Sequence, residues 1–212
     1  MKIRLGWLMV LLPLLSLSAA AQSGGTHAAA SNSFQLSSTT FANGATLPLS
    51  MLSNIIVNGS NACSVDGSPG GNQSPELSWT NAPRPTVSFA VTVYDVTAAF
   101  THWGIYNIPP TATELPENAG VAGSPLGKQI VNDFFIGHEY DGPCPPAGVA
   151  PFAHRYVFTV YALDEVLSLP SPRNFQASAE TLHQALIRAG RGGHILRSSS
   201  ITGFYSTTPA PQ

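Results

Sequence analysis

Prolines and glycines restrict the fold of this chain more than any other feature. There are 18 prolines and 19 glycines among its 212 residues, and they separate its few regular stretches. Punctuation of this kind is typical of short strands joined by irregular loops. Helical patterns do not alternate with the strand patterns, which disfavours a doubly wound α/β fold. We therefore predict a mainly β protein with a minor helical part.

Three stretches have the composition and periodicity of strands. Residues 86–94 alternate apolar side chains with small or polar ones, which is the period of a half-buried strand. Residues 102–108 and 155–163 are rich in aromatic and β-branched side chains, and Pro109-Pro110 ends the first of them. A histidine stands at the start of each of these two predicted strands.

One helix is predicted near the C-terminus, over residues 177–189. Gly190 marks its end, a continuation to Arg197 is the alternative, and the apolar residues that recur at helical spacing are Leu182, Ala185, Leu186 and Ala189. Residues 61–74 are dense in glycine, asparagine and serine, so we expect a long surface loop there. No internal repeat is present in the sequence.

The N-terminus has the pattern of a signal peptide covering residues 1–21. Lys2 and Arg4 form a positive region, residues 5–17 form an apolar run, and small alanines at 19–21 form a cleavage site. The apolar run is shorter than the roughly 20 residues that span a bilayer. We expect a secreted or periplasmic protein with no transmembrane segment after removal of the signal.

The remaining chain is predicted to hold one domain. Residues 22–33 are small and polar and indicate a flexible tether, residues 34–206 form the domain, and residues 207–212 form a disordered tail. Without residues 1–21 the chain has seven lysines and arginines against eleven aspartates and glutamates, a formal charge of 7 − 11 = −4. This charge provides no basic field for nucleic acid or an anionic membrane.

Cys63 and Cys144 are the only cysteines. An even number in an exported protein favours one disulfide, and two buried free thiols are the alternative. In the chain-entropy description, a bridge closing a loop of this length stabilises the fold by about 4.5 kcal/mol.

Two short segments carry most of the chemistry. Asp95 precedes His102 by seven residues, and Gly-Pro-Cys-Pro-Pro at 142–146 is followed by His-Arg-Tyr at 154–156. Both lie beside predicted strands, so one carboxylate, two imidazoles and a backbone turn can converge on a small polar cavity. The residues alone equally permit two half-buried histidines bonded to strand backbone and an aspartate that caps a turn.

Two further interpretations use the same residues. Two histidines and a carboxylate resemble a metal triad, although the close spacing of a specific metal motif is missing. An acid/base hydrolase would have Asp95 orient His102 as the base, but no Gly-x-Ser-x-Gly nucleophile accompanies them. We therefore expect no metal and no cofactor, and a binding protein more than an enzyme.

Six motifs in order resemble the phosphatidylethanolamine-binding protein family, in its bacterial Raf-kinase-inhibitor-like branch. The resemblance covers the chain from Phe34 to Tyr205, and the motifs are residues 72–79, 88–95, 102–109, 142–146, 154–156 and 161–163. It implies a large β-sheet packed on a smaller sheet, with a few peripheral helices near the C-terminus and a small anion pocket at the sheet edge.

The resemblance also implies which residues bind the ligand. Family members hold phosphate or carboxylate groups, and the matching positions are Asp95, His102, Gly142, Cys144 and His154, with Tyr156 nearby. The branch places its two cysteines as this chain does, which supports a Cys63–Cys144 bridge. The two histidines would hold the anion, Asp95 would orient a histidine, and backbone N–H groups around Gly142 and Cys144 would add a small anion nest.

The chain departs from the family pattern in one loop beside this site. The family usually has Asp-Pro-Asp-Ala-Pro where this chain has Asp-Val-Thr-Ala-Ala at 95–99, so both prolines and the second acid are lost. We expect this loop to be less rigid and its hydrogen-bond support to be reduced. The segment between Pro146 and His154 is also longer than usual and carries Val149 and Phe152.

These observations predict an exported protein that binds a small anionic group, such as a phosphate or a phospholipid headgroup, with an inhibitory or regulatory role. A hydrolase using the same pocket is the first alternative. A protein-interaction inhibitor with a vestigial pocket, and hence a protein partner, is the second. His194 is a minor candidate for the pocket, whereas His27, His138 and His183 are expected to be exposed or locally bonded.

Overall fold

The computed structural model describes residues 33–134, 140–170 and 176–209. The predicted signal peptide and residues 22–32 of the predicted tether lie outside these ranges, as do His27 and His138. In chain order the described strands are β1 (Gln35–Ser37), β2 (Ile56–Val57), β3 (Ser60–Asn61), β4 (Leu77–Thr80), β5 (Ser88–Asp95), β6 (Phe100–Ile108), β7 (Glu114–Leu115), β8 (Lys128–Gln129), β9 (His154–Leu163) and β10 (Ile195–Tyr205). A 3-10 turn covers Leu49–Met51, and helix α1 covers Ala179–Gly192.

The strands form a large sheet, a small sheet and a hairpin. The large sheet has the antiparallel order β10-β9-β5-β6-β8, the small sheet has the order β1-β4-β7, and β2 pairs with β3. Asp95 at the end of β5 lies opposite Phe100 of β6 and Tyr156 of β9. The β5–β6 turn and the start of β9 therefore meet at one end of the large sheet.

The alternation in β5 divides its side chains between two cores, so most of the strand is buried on both faces where the sequence predicts a half-buried strand. Phe89, Val91 and Val93 are buried between the two sheets, where the rings of Phe89 and Trp79 lie 5.1 Å apart. Ala90 belongs to the second core, beneath α1. Burying a side chain of valine or phenylalanine size contributes about 1.5–3 kcal/mol, so this strand is a main source of stability. The mainly β class with packed sheets is confirmed.

Helix α1 is confirmed near the C-terminus with shifted bounds. Ser178 caps its first turn by accepting a hydrogen bond from the Thr181 amide, and Gly193 ends it in the left-handed conformation at φ 80°. The chain leaves the helix at this glycine and enters β10 at Ile195, so the alternative of a helix continuing to Arg197 is wrong. Within the described ranges there is no helix with the length and apolarity of a membrane span.

Strand β10 was not predicted from the sequence, although it is eleven residues long. It pairs with β9 from Leu163 to His154. Its central part is polar, with serines at 198–200, so it lacks both the alternation that identified β5 and the aromatic and β-branched composition that identified β6 and β9. This strand forms because it pairs with β9, and the local sequence does not reveal that pairing.

The described end of the chain is bound to the fold, which corrects the predicted tail. Thr207 is buried, and its hydroxyl donates to the carbonyl of Pro145. The hydroxyl of Thr208 accepts a hydrogen bond from the Gly148 amide at 2.9 Å. The predicted disorder from residue 207 therefore does not hold for Thr207 and Thr208, while residues 210–212 lie outside the described ranges.

The predicted loop at 61–74 is anchored by buried side chains. The Asn61 side chain accepts from the amides of Ile55 and Cys63 and donates to the carbonyls of Ser53 and Ser68. Cys63 is fully buried and forms the predicted disulfide with Cys144, with Cα atoms 4.5 Å apart. The bridge fixes this loop to the Gly-Pro-Cys-Pro-Pro segment.

Candidate functional site

A cavity of about 180 Å³ lies at the end of the large sheet where the β5–β6 turn meets the start of β9. Its walls come from four separate stretches of the chain. The residues lining it are Asp95, Ala98, Phe100, His102, Phe134, Cys144, Pro145, Pro146, His154 and Tyr156. Five of the six predicted ligand-binding residues are among them.

Gly142, the sixth, lies beside the cavity and not in its lining. Its amide donates to the side-chain oxygen of Asn72 at 2.7 Å, so this N–H group is already used within the protein. A Cβ at this position would collide with the carbonyl oxygen of Met51. Glycine is therefore needed for the close approach of two backbone segments. Its N–H group is not free to join an anion nest, which corrects the prediction.

Asp95 and His154 form a buried pair in the cavity wall. The Asp95 Oδ2 atom lies 2.6 Å from the His154 Nδ1 atom. The other oxygen, Oδ1, accepts hydrogen bonds from the amides of Thr97 and Ala98 at 2.8 and 3.2 Å. Asp95 thus caps a turn and orients a histidine at the same time. That histidine is His154, so the pairing of Asp95 with His102 in the hydrolase hypothesis is wrong.

The loop after Asp95 retains its hydrogen-bond support without the family prolines. The hydroxyl of Thr97 accepts from the Arg155 amide at 2.9 Å, and the Val96 amide donates to the Arg155 carbonyl. Ala99 has a positive φ of 55°. The turn that Asp95 closes and these bonds to β9 support the loop. The expectation of reduced hydrogen-bond support is therefore wrong.

His102 is oriented by backbone. Its Nδ1 atom lies 2.7 Å from the carbonyl oxygen of Asp141, and the Asp141 amide donates back to the His102 carbonyl at 3.1 Å. Only 4% of the residue is exposed. Burial lowers the pKa of His102, an effect that the Asp141 carbonyl partly offsets. The ring is therefore neutral near pH 7.

A polar clamp that the sequence did not reveal holds Asp141 in place. Its Oδ2 atom accepts from the Asn132 side chain at 2.7 Å, and its Oδ1 atom accepts from the Asn72 side chain at 3.3 Å. Asn72 is the same residue that binds the Gly142 amide. Asn72 begins one family motif and Asp141 directly precedes another, but their spacing of 69 residues gave no sign that they meet.

Tyr156 forms the wall between the two histidines. Its ring lies 5.2 Å from the His102 ring in an edge-on arrangement and 6.4 Å from the His154 ring. Its buried hydroxyl makes no hydrogen bond of full geometry within the described residues, but it interacts with the Asp95 carboxylate. Burial, followed by the negative charge of Asp95, raises the pKa of Tyr156 far above its ordinary value. The hydroxyl therefore keeps its proton and can donate it in a hydrogen bond.

His194 does not approach this cavity. Its Nδ1 atom lies 2.9 Å from Asp164, which directly follows β9, whereas His154 begins that strand. Ten residues of strand separate the two ends by about 30 Å. His183 is exposed on α1, as expected, and borders a different cavity of about 500 Å³ beside the helix. In the ranges that the structure describes, no three histidines, cysteines or carboxylates are grouped to hold a metal.

Comparison with known proteins identifies relatives over most of the chain. Residues 37–206 match the sequence model of the family described as phosphatidylethanolamine-binding protein. A UPF0098 protein of Methanothermobacter thermautotrophicus is 42% identical over 142 residues, covering 64% of this chain and 84% of the relative. The UPF0098 protein YbhB of Escherichia coli is 35% identical, covering 66% of this chain and 85% of the relative.

A solved structure gives the same result for the fold. The crystal structure of Escherichia coli YbcL, described as a member of the mammalian PEBP family, superposes with a TM-score of 0.63. The two sequences are 32% identical, and the match covers 82% of this chain and 98% of that one.

Proposed function

The chain belongs to the phosphatidylethanolamine-binding protein family, and we propose that it is an exported protein that holds a small anionic group in the cavity between His102 and His154. One observation carries the proposal. Each imidazole is fixed through its Nδ1 atom, His102 by a carbonyl and His154 by a carboxylate. Neither Nε2 atom has a hydrogen-bond partner among the described residues, so both remain for a ligand.

The size of the cavity supports a small group. Its volume of about 180 Å³ is below the roughly 300 Å³ at which pockets for drug-sized molecules begin. A phosphate or a carboxylate with a few waters fits such a space, since one water occupies about 30 Å³. A larger molecule would place only its headgroup inside, and phosphate and phospholipid headgroups are both candidates.

The polar groups of the wall also suit an oxyanion. Both oxygens of Asp95 accept hydrogen bonds from the protein, so the negative charge of this carboxylate is already stabilised by protein donors. The Tyr156 hydroxyl keeps its proton and interacts with the same carboxylate.

Export is supported by two independent features. The first 21 residues have the signal-peptide pattern, and the single disulfide is of a kind that persists in oxidising compartments. Fractionation of cells that express the full chain, with the mass of the recovered protein, tests this part. Removal of residues 1–21 and recovery outside the cytoplasm are expected, whereas an uncleaved cytoplasmic protein contradicts export.

Titration of the mature protein with phosphate and phosphoethanolamine, followed by NMR of the histidine rings, tests the binding function. Saturable shifts at His102 and His154 are expected. The variant His154→Ala removes one ligand-facing nitrogen and should weaken binding by about tenfold or more. His183→Ala, on the exposed face of α1, is the matched control and should bind as the natural chain does.

A hydrolase is the second candidate, and the Asp95–His154 pair is the observation that favours it. A carboxylate 2.6 Å from Nδ1, with Nε2 open to a cavity, is the arrangement of a general base. No serine, threonine or free cysteine lines the cavity in the described ranges, so the base would activate a water. Turnover of a nitrophenyl phosphate or acetate ester that is lost in His154→Ala favours this candidate, while binding without turnover contradicts it.

A further inference from the structure

A second cavity lies on the outer face of the large sheet, beside α1. Its volume is about 500 Å³, which is within the range of roughly 300–1,000 Å³ for ligand pockets. The described residues that line it are all different from those that line the cavity between the two histidines. We call it the helix groove, and its main walls are Thr92, Tyr94, Thr159 and Tyr161 on the sheet and Leu182 and Leu186 on the helix.

The helix groove exists because α1 covers only part of this sheet face. Near the start of β5, Ala90 is fully buried in the core beneath the helix. Further along the strand, Thr92 is half-buried and Tyr94 is 38% exposed. One end of the outer face is thus packed, and the other end stays accessible to a ligand.

The floor of the groove is a pair of threonines between two aromatic rings. Thr92 of β5 lies opposite Thr159 of β9. Tyr94 follows Thr92 by two residues and Tyr161 follows Thr159 by two residues, and the strands are antiparallel. The tyrosines therefore stand on opposite sides of the threonine pair, about 13 Å apart along the strands. This spacing suits an elongated ligand with more than one ring.

Four hydroxyls of the groove are available to such a ligand. Those of Thr92, Thr101, Tyr94 and Tyr161 make no hydrogen bond with another described residue. Each hydroxyl can both donate and accept. A ligand that displaces water from them must replace both kinds of hydrogen bond, because a polar group removed from water without a partner weakens binding.

The charged groups of the groove are carboxylates. Asp133 accepts from the Thr101 amide through Oδ2, and Glu180 accepts from the Gln184 side chain through Oε1. The second oxygen of each carboxylate has no partner among the described residues. No lysine or arginine is present among the described lining residues. The groove therefore offers free acceptors and does not attract an anion.

We propose that the helix groove binds a neutral oligosaccharide of pyranose rings. The apolar C–H faces of the sugar rings stack on Tyr94 and Tyr161, which present both apolar faces and polar hydroxyls. The sugar hydroxyls donate to Asp133 and Glu180 and form hydrogen bonds with Thr92. Because each sugar hydroxyl both donates and accepts, one class of ligand satisfies the free hydroxyls and the free carboxylate oxygens together.

Other classes of ligand match the groove less well. A lipid chain would cover the hydroxyls and carboxylates without giving them partners. An ammonium group only donates, so it serves the carboxylates but offers no acceptor to the hydroxyls.

Amide NMR and calorimetric titrations of the mature protein test the proposal. The probes are maltotriose, cellotriose and the trimer of N-acetylglucosamine, with spermidine as a cationic comparison. At least one trisaccharide is expected to give saturable shifts in residues 92–96, 157–161 and 179–186, and to bind more tightly than spermidine. Saturating phosphate should not displace it, because the two cavities are separate.

The variant Tyr94→Ala removes one stacking ring and should weaken trisaccharide binding by about three- to tenfold. Phe204→Ala is the matched control, since Phe204 is also 38% exposed but lies on β10 outside the groove lining. It should bind as the natural chain does. Thr92→Val, which keeps the shape of the side chain, supplies a second test if circular dichroism shows that Tyr94→Ala does not fold.

Binding that is localised to the groove, weakened in Tyr94→Ala or Thr92→Val and retained in Phe204→Ala supports the proposal. Absence of binding by all three trisaccharides, shifts confined to the cavity between the histidines, or tighter binding of spermidine overturns it. The anion-binding function is unaffected by any of these results.

Discussion

The two walls of the cavity use different means to orient the same kind of side chain. On the β9 wall, His154 is held by the carboxylate of Asp95, whereas on the β6 wall, His102 is held by the carbonyl of Asp141. A carboxylate can compensate a positive charge on an imidazole, and a neutral carbonyl compensates it less. Two histidines in one small cavity can therefore have different chemical roles, because their partners differ in charge.

Loss of the disulfide should have the largest effect and should act on the β6 wall. Replacing both Cys63 and Cys144 by serine is expected to lower the free energy of unfolding by about 2–4 kcal/mol. Cys144 lies three residues after Asp141 in the same segment, so the ring signals of His102 should shift more than those of His154. Urea denaturation and NMR of the histidine rings measure both effects. Larger shifts at His154 would contradict the assignment of the bridge to the β6 wall.

Asp95→Asn tests the charged partner of the β9 wall and should have the next largest effect. The amide can still accept hydrogen bonds from Thr97 and Ala98, while its NH₂ group faces His154 Nδ1. That nitrogen then becomes an acceptor, and the His154 proton moves to Nε2. Loss of a charge-assisted hydrogen bond should lower the free energy of unfolding by about 1–3 kcal/mol.

Nitrogen-15 NMR of the rings reports the tautomers in this variant directly. The signals of His154 should interchange, and those of His102 should keep the pattern of a protonated Nδ1. His183→Asn serves as a surface control for the general effect of an amide substitution. An unchanged His154 tautomer would show that Asp95 does not determine it.

The pH dependence of stability should show the smallest effect, and it belongs to His102. The pKa of His102 is lowered in the folded state, while an unfolded histidine titrates near 6.5. Below that pH the unfolded chain binds a proton that the folded chain does not, so the stabilising contribution of the neutral ring is lost as the pH falls. The slope contributed by one group cannot exceed about 1.4 kcal/mol per pH unit.

Urea denaturation of the natural chain and of His102→Gln between pH 7 and pH 5 measures this contribution. The variant should lose less stability than the natural chain over that interval. A variant that loses as much would mean that the folded state does not depress the pKa of His102.

Local patterns predicted the parts of the fold that depend on local interactions. The alternation of β5 identified a strand whose residues pack on two cores, and Gly193 ends α1 only three residues beyond the predicted Gly190. Proline and glycine punctuation indicated the mainly β class, and the resemblance to a family indicated the two packed sheets and a site that contains both histidines. Strand β10 depends on pairing with β9, and such non-local pairing leaves little trace in a polar segment.

The cavity was predicted less completely than the fold because its polar contacts join distant residues. The sequence brought Asp95, His102 and His154 to one site, but it could not tell which histidine Asp95 contacts. The clamp of Asn72 and Asn132 on Asp141 was missed, since single asparagines occur in many loops for unrelated reasons. Gly142 was assigned to ligand binding, whereas close backbone approach accounts for it.

The distances along the chain between the cavity residues have a consequence for folding. Asp95 and His102 belong to the β5–β6 hairpin, but His154 comes from β9, which lies between β5 and β10 in the sheet. A chain that has been synthesised only as far as Pro146 lacks one of the two histidines and the strand that carries it. The anion proposed to bind both rings would therefore have affinity only for the completed fold. At concentrations well above its dissociation constant, its stabilisation of the native state would grow with the logarithm of its concentration.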